Sequence, residues 1–318
     1  MRIFIAGATG AVGRRLVPRL VSAGHSVVGL TRIAAKAATL RELGAEPVVA
    51  DALDERALHA AVLAARPDVI VHELTDLKGA ADLRKFDRAF ANSNHLRTRG
   101  TDYLLAAARE CGVKRMVVQS FCGWPYARSG GYVKSEEDPL DPDPPQEMRR
   151  TLDAILYQER VVTASSAPEG VALRYGGFYG PDTGVFDPAT IDQIKKRRVP
   201  LIGDGGAWWS FVHIDDAAEA TALAVERGQG GYNIADDDPA PVREWLPAIA
   251  TMLGAKPPFH VPKWLARIAA GEHLVAMMTQ SRAGSNAKAK RELGWRPRHP
   301  SWRGGFAEIA GHETRVAA

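Results

Sequence analysis

Short apolar runs alternate with longer stretches of helical period through the first two thirds of the chain. Ile3-Phe4-Ile5-Ala6 reads as a buried strand, and residues 14–23 as the helix that follows it. Further strands are predicted at 27–30, 48–50, 69–71, 113–119 and 171–175, with a last one at 228–234. Helical patterns fill the gaps at 55–65, 84–110 and 146–164, and the polar stretch 75–84 reads as a mobile loop. Strands alternating with helices of this length specify an α/β fold on a doubly wound parallel sheet, with ligands at the C-terminal ends of the strands. Residues 136–145, rich in acid and proline, interrupt the alternation as an extended segment. From Gly176 onward the pattern is less regular, with helices at 242–253 and 264–278 and a flexible approach at 282–290.

The turn between the first strand and helix carries glycine at every third position, Gly7-Ala8-Thr9-Gly10-Ala11-Val12-Gly13. Strand, glycine turn and helix N-terminus make a phosphate site. Gly7 permits the tight turn, Gly10 lets backbone N–H groups approach a pyrophosphate, and Gly13 lets the helix pack closely on the strand. Gly7, Ala8, Thr9, Gly10, Ala11, Val12 and Gly13 are therefore assigned to a dinucleotide. A carboxylate ending the second strand would take the adenosine ribose of NAD, but Thr31 and Arg32 stand there, with Lys36 close by. Cations suit a ribose 2′-phosphate, so NADP is predicted over NAD. Asp51, beside Ala52, is placed to read the adenine amino group, and Asp54 to cap the helix 55–65. Leu74 and Thr75 complete the predicted cofactor set, and His72, ending the fourth strand, is a candidate substrate contact.

Composition narrows the partners. At 318 residues the chain can bury a full core in one large domain or two coupled ones. A net charge of +4, with Lys and Arg scattered among 37 acidic residues and no basic stripe, argues against nucleic acid. Cys111 and Cys122 are too few for a disulfide framework and lack metal-ligand spacing, so buried thiols, a reducing compartment and no metal are expected. No apolar run approaches the ~20 residues of a membrane span, so the expected location is cytoplasmic, away from membranes.

A series of ordered motifs carries more. After the glycine turn and Asp51 come Gly100-Thr101 with Leu104-Leu105, Val113-Lys114-Arg115, Pro139-Leu140-Asp141-Pro142, Leu173-Arg174 and Tyr179-Gly180-Pro181. Gly203-Asp204-Gly205, Phe211-Val212-His213-Ile214-Asp215-Asp216, Tyr232-Asn233-Ile234 and Glu292-Leu293-Gly294-Trp295 follow. Together they resemble the extended short-chain dehydrogenase/reductase family, the NAD(P)-dependent epimerase/dehydratase group, over nearly the whole chain. The resemblance implies a Rossmann-type domain at 1–174 plus 210–235 and a smaller C-terminal substrate domain at 175–209 plus 236–318. It also implies a possible homodimer through the helices at 84–110 and 146–164.

The departures from that family shape the functional expectation. Members normally use a Tyr-x-x-x-Lys pair, the lysine lowering the tyrosine pKa so that the phenol exchanges a proton while hydride moves. None of the seven tyrosines here has lysine four residues later. Counting from the proline segment puts the tyrosine slot near Gln146, and counting back from Glu159 puts it at Thr151. Ser120 keeps the place of the hydroxyl that orients a reacting oxygen, and Tyr126 and Tyr132 beyond it are the candidate proton donors, with Lys134 assisting by charge. The family asparagine three residues before Gly100 is Arg97, assigned to the substrate. Nucleotide-sugar enzymes of the family bind a diphosphate with an asparagine and an arginine where this chain has Gly177 and Trp209. An indole in place of a forked cation exchanges anion recognition for stacking surface. A small, flat, apolar or aromatic substrate is therefore expected against His72, Arg97, Tyr179, Trp208 and Trp209. The leading expectation is an NADP-dependent oxidoreductase acting on a carbonyl or alcohol. The alternatives are an epimerase, dehydratase or cyclase without net redox, and a catalytically silent NAD(P)-binding sensor. His213 is expected as a structural strand residue, with Asp215 or Asp216 capping the next helix.

Overall fold

In β1 (Arg2–Ala6), Ile3 and Ile5 enter one apolar core while Phe4 and Ala6 enter another, all fully buried. A strand apolar on both faces must lie at the centre of a covered sheet. Its companions are β2 (Ser26–Thr31), β3 (Glu46–Val49), β4 (Val69–His72), β5 (Arg115–Phe121), β6 (Glu169–Tyr175) and β7 (Gly230–Ile234). They stand in the order β7-β6-β5-β4-β1-β2-β3, every pair parallel. On the Ile3 face pack α1 (Gly13–Ser22), α2 (Ala37–Glu42) and a helix from further along the chain. On the other face pack α3 (Glu55–Ala65), α4 (Thr101–Cys111) and α5 (Arg149–Thr163). The later helix on the Ile3 face is α6 (Ile214–Glu226). Asp54 caps α3 by accepting from Ala57 N at 3.1 Å. This is a Rossmann-type doubly wound sheet, read from a computed structural model that describes residues 1–76, 86–181, 183 and 187–316. Most of the mobile loop expected at 75–84 lies outside the described residues.

The strand order decides where a ligand goes. The chain winds outward from β1 to β3, then returns to lay β4 against the other side of β1. The connections leaving β1 and β4 diverge, opening a crevice at their C-terminal ends.

A separate core beyond this sheet joins Tyr179, Phe211, Trp245, Trp302 and Phe306. It includes a parallel pairing of Gly177–Tyr179 with Phe211–His213. The C-terminal segment is fastened back by Asp216, whose carboxylate accepts from Arg298 N at 3.0 Å and His299 N at 2.9 Å. His213, not Asp215 or Asp216, caps α6: its Nδ1 accepts from Asp215 N at 3.2 Å.

Three other expectations need correction. The helix expected at 84–110 is three pieces, Phe86–Ala89, Ala91–His95 and α4, with a π-helical turn at Leu96–Gly100 leading into α4. The helix expected at 264–278 is Lys263–Ala270 and Glu272–Thr279, broken at Gly271 with φ +95°. The stretch at 282–290 is ordered, since Ala283–Gly284 pairs with Val133–Lys134 and Asn286 Nδ2 donates to Ala235 O at 2.7 Å. Both cysteines are free. Among the described residues, no helix is long and apolar enough to cross a membrane.

Candidate active site

The glycine turn sits at the mouth of the crevice and is closed on itself, Gly10 N donating to Gly7 O at 2.9 Å. Gly7 has φ +101°, and a Cβ there would lie 2.7 Å from the main-chain carbonyl of Glu73 at the end of β4. A Cβ on Gly13 would lie 2.3 Å from Gly7 O. These positions are glycine because main chain passes main chain at contact distance. Helix α1 starts without a side-chain cap or an acidic residue in its first turn. Its N-terminal amides and dipole thus face the crevice with no competing carboxylate from their own turn. Ala8 and Val12 point into the core, so they can offer a ligand only main chain. A cradle that any Cβ would fill, opening onto bare amides, fits a dinucleotide's diphosphate.

Around the turn the other expected cofactor residues take up distinct positions. Thr31 is buried, and its Oγ1 accepts from Ile33 N at 3.2 Å. Arg32 is exposed, with Nη2 3.3 Å from the Asp76 carboxylate, and Lys36 ends the short turn Ala34–Lys36. Asp51 is exposed and accepts from Leu53 N at 2.9 Å, while Ala52 is buried. Leu74 O accepts from Gln119 Nε2 at 3.0 Å, and Thr75 is half-buried beyond it.

His72 does not reach a substrate. It has no exposed surface, its Nδ1 accepts from Leu74 N at 3.3 Å, and its Nε2 meets Leu96 O at 3.2 Å. Burial pulls its pKa down to about 4, so the ring is a neutral clip between β4 and the π-turn. The next residue, Glu73, was missed by sequence reasoning. Its carboxyl is buried 2.8 Å from the Tyr175 hydroxyl, which is 2.7 Å from Thr221 Oγ1. Thr221 Oγ1 donates to Ala217 O at 2.8 Å. The Tyr175 hydroxyl donates to Glu73 Oε1, and burial raises that carboxyl to about 8. An acid directly after an apolar strand was the available signal.

At the ends of β5 and β6 a second constellation is assembled from distant segments. Ser120 Oγ donates to Glu159 Oε1 at 2.5 Å, and Glu159 is paired with Arg174 at 2.6 Å. Arg174 Nη1 donates to the Tyr126 hydroxyl at 3.0 Å, which donates to Asn233 Oδ1 at 2.7 Å. Tyr126 is fully buried, its proton is committed, and burial raises its pKa well above the ordinary phenol value. It belongs to the scaffold and cannot donate a proton to a substrate. Sequence reasoning missed Glu159 and Arg174 as the partners of Ser120, because their meeting depends on the pairing of β5 with β6. Tyr179 is also corrected: it is fully buried, its ring packed edge-on to Phe306 and against Gly305.

Tyr132 remains exposed, its ring stacked on Trp208 with centroids 5.4 Å apart. Lys134 does not assist it, because its Nζ donates to Ser129 O at 2.8 Å and pairs with Asp138. Trp208 and Trp209 line an apolar cleft with Phe121, Cys122, Trp124 and Met277. Trp209 is held by donation from Nε1 to Met277 O at 3.0 Å. Thr151 is buried on α5, its Oγ1 donating to Asp87 at 2.7 Å, and Ile155 one turn later is also buried. His213, Asp216 and His299 bring ligand-type atoms within 4.8 Å of one another. Asp216 already accepts from both main-chain amides of the fastened segment and from His299 Nδ1, so the group reads as a tether.

Glycine-cradled amides at the reversal point of a parallel sheet, beside an apolar cleft, define a nicotinamide-dinucleotide enzyme. The sequence model of the NAD dependent epimerase/dehydratase family matches residues 3–235, and the chain belongs to this family. It is 42% identical over 309 residues to the 3-diazoavenalumate denitrifying reductase of a Streptomyces species, covering 96% of this chain and 99% of that one. It is 30% identical to a 4-hydroxy-2-methyl-3-oxo-4-farnesyl-3,4-dihydroquinoline-1-oxide ketoreductase of Stigmatella aurantiaca, covering 93% and 92%. A human epimerase family protein solved with NADPH superposes with a TM-score of 0.76 at 19% identity, covering 98% and 99%. The chain is an NAD(P)-dependent enzyme of the oxidoreductase or epimerase/dehydratase kind, and its reductase-named relatives support the oxidoreductase.

Proposed function

We propose that this enzyme reduces a small, flat, aromatic substrate bearing a diazonium group, with NADP preferred over NAD. The observation that carries the reading is the residue pair at the slot counted back from Glu159. Thr151 and Ile155, both buried, cannot serve as the acid of a carbonyl reduction. Bound in the crevice, the nicotinamide supplies a hydride. A diazonium carbon that accepts it loses its C–N bond, the bonding electrons depart with dinitrogen, and no oxygen needs a proton. The protein's task reduces to binding, orientation and exclusion of water. Trp208, Trp209, Phe121 and Trp124 provide apolar walls for a flat ring. The name of the 42% identical relative supports this reaction class. Arg32 and Lys36, with no carboxylate at the end of β2, support the 2′-phosphate.

Carbonyl reduction is the second reading, favoured by Tyr132, whose exposed phenol lies on Trp208. Deuterated NADPH and an aryl diazonium salt test the first. The expected result is enzyme-dependent loss of absorbance at 340 nm, one dinitrogen released per NADPH, and deuterium at the former diazonium carbon. Turnover of aryl ketones but not diazonium salts, abolished by Tyr132→Phe, would favour the second.

A further inference from the structure

Arg97 lies on the π-turn Leu96–Gly100, whose first carbonyl is held by His72 at 3.2 Å. The turn is thereby fastened to the C-terminal end of β4, the strand next to the one that carries the glycine turn. The arginine side chain is buried, 6% exposed, yet its Nε and Nη1 have no hydrogen-bond partner among the described residues. Burial alone acts on its pKa, drawing it down to about 10, so it remains a cation at neutral pH. Its charge is felt by His72, a ring already committed to Leu74 N and Leu96 O. The buried Arg174, by contrast, is partnered by Glu159 and Tyr126. A planar fork enclosed without a partner destabilises the protein that carries it unless something completes it. Planar forks match oxyanions.

We propose that Arg97 completes an oxyanion site at the reversal point of the sheet, clamping the dinucleotide's diphosphate from the β4 side while the glycine-turn amides hold it from the β1 side. This deepens the proposed function and rests on its cofactor half, not on the group reduced. A substrate carboxylate is the other source of the same chemistry, and the sequence expectation placed Arg97 against the substrate.

The test compares the full-length chain with Arg97→Met and Arg97→Lys, using NADPH and ADP-ribose, which keeps the diphosphate but lacks nicotinamide. Without ligand, Arg97→Met should melt at or above the wild-type temperature, because it removes an unpaired buried charge. Both nucleotides should bind it at least roughly ten-fold more weakly, with Arg97→Lys intermediate, because an ammonium keeps the charge but not the fork. If ligand-free Arg97→Met melts lower and both nucleotides bind as before, the arginine is structural and the proposal falls. If it fails to fold, Arg97→Lys decides: unchanged ADP-ribose affinity overturns the clamp. If nucleotide affinity holds while KM rises only for a carboxylated aryl substrate, the diphosphate assignment is overturned in favour of the substrate carboxylate. If the variants lose nucleotide affinity while no diazonium compound is reduced, the proposed reaction alone is defeated.

Discussion

The two ends of this crevice are built from different materials. At the glycine turn after β1 the surface offered is main chain: Gly7 and Gly13 bring backbone to backbone, and the side chains of Ala8 and Val12 turn away into the core. At the ends of β5 and β6 the wall is built from side chains, with Ser120, Glu159, Arg174, Tyr126 and Asn233 joined in one buried chain of hydrogen bonds. Backbone recognition tolerates no added atom, whereas side-chain recognition tolerates exchange of the reacting groups as long as the scaffold beneath stays satisfied. That is how the slot counted from Glu159 can hold Thr151 and Ile155 on an intact fold.

Perturbing each side should separate them. The largest effect is expected from Gly13→Ala, whose Cβ would meet Gly7 O at 2.3 Å. Nucleotide affinity by calorimetry should fall by about 100-fold or more, several kcal/mol of binding free energy. Gly10→Ala, whose Cβ would meet Gly7 O at 3.1 Å, should lose much less. On the other side, Glu159→Ala leaves a buried Arg174 unpaired and should cost about 3–5 kcal/mol in urea unfolding.

Titration gives a third, smaller contrast. Glu73 is raised from an ordinary carboxyl to about 8, so between pH 4.5 and 8 the folded protein holds a proton that the unfolded chain has released. Its contribution is full below pH 4.5 and is lost as pH rises through 8. Glu73→Gln keeps a neutral acceptor for the Tyr175 hydroxyl and should flatten the decline in urea midpoint from pH 5 to pH 8.5. A residual slope is expected from Asp236, which burial raises to about 8 as well. His72 acts in the opposite sense: its folded pKa near 4 lies below the unfolded value, so stability is lost as pH falls from 6.5 toward 4. The smallest effect should be Tyr132→Phe, with a melting temperature close to wild type and diazonium reduction retained. Loss of that activity would move the acid chemistry onto the cleft rim.

The same division explains what could be read from the sequence. The strands, the glycine turn and the Asp54 cap were legible because each leaves a local pattern in the sequence, even where its partner lies far along the chain, as Glu73 does for Gly7. The π-turn at Leu96–Gly100 was not, because Leu96, Gly100 and Leu104 recur every four residues in the sequence as they would in an ordinary helix. Tyr126 and Tyr179 carry the residue type of a proton donor or a stacking surface, yet burial by Asn233, Arg174 and Phe306 removes both from use. The order at 283–284 depends on a strand pairing with residues 133–134, far back in the chain.

Because Gly7 lies against the main chain of Glu73 and Gly13 against Gly7, the phosphate cradle has no softer shape to relax into. The ordering of that loop is therefore met during folding and not at the moment of encounter. Nucleotide capture should follow a single exponential whose rate rises linearly with nucleotide concentration, without the plateau of a slow isomerisation. Selectivity among nucleotides would then appear in how long each stays bound.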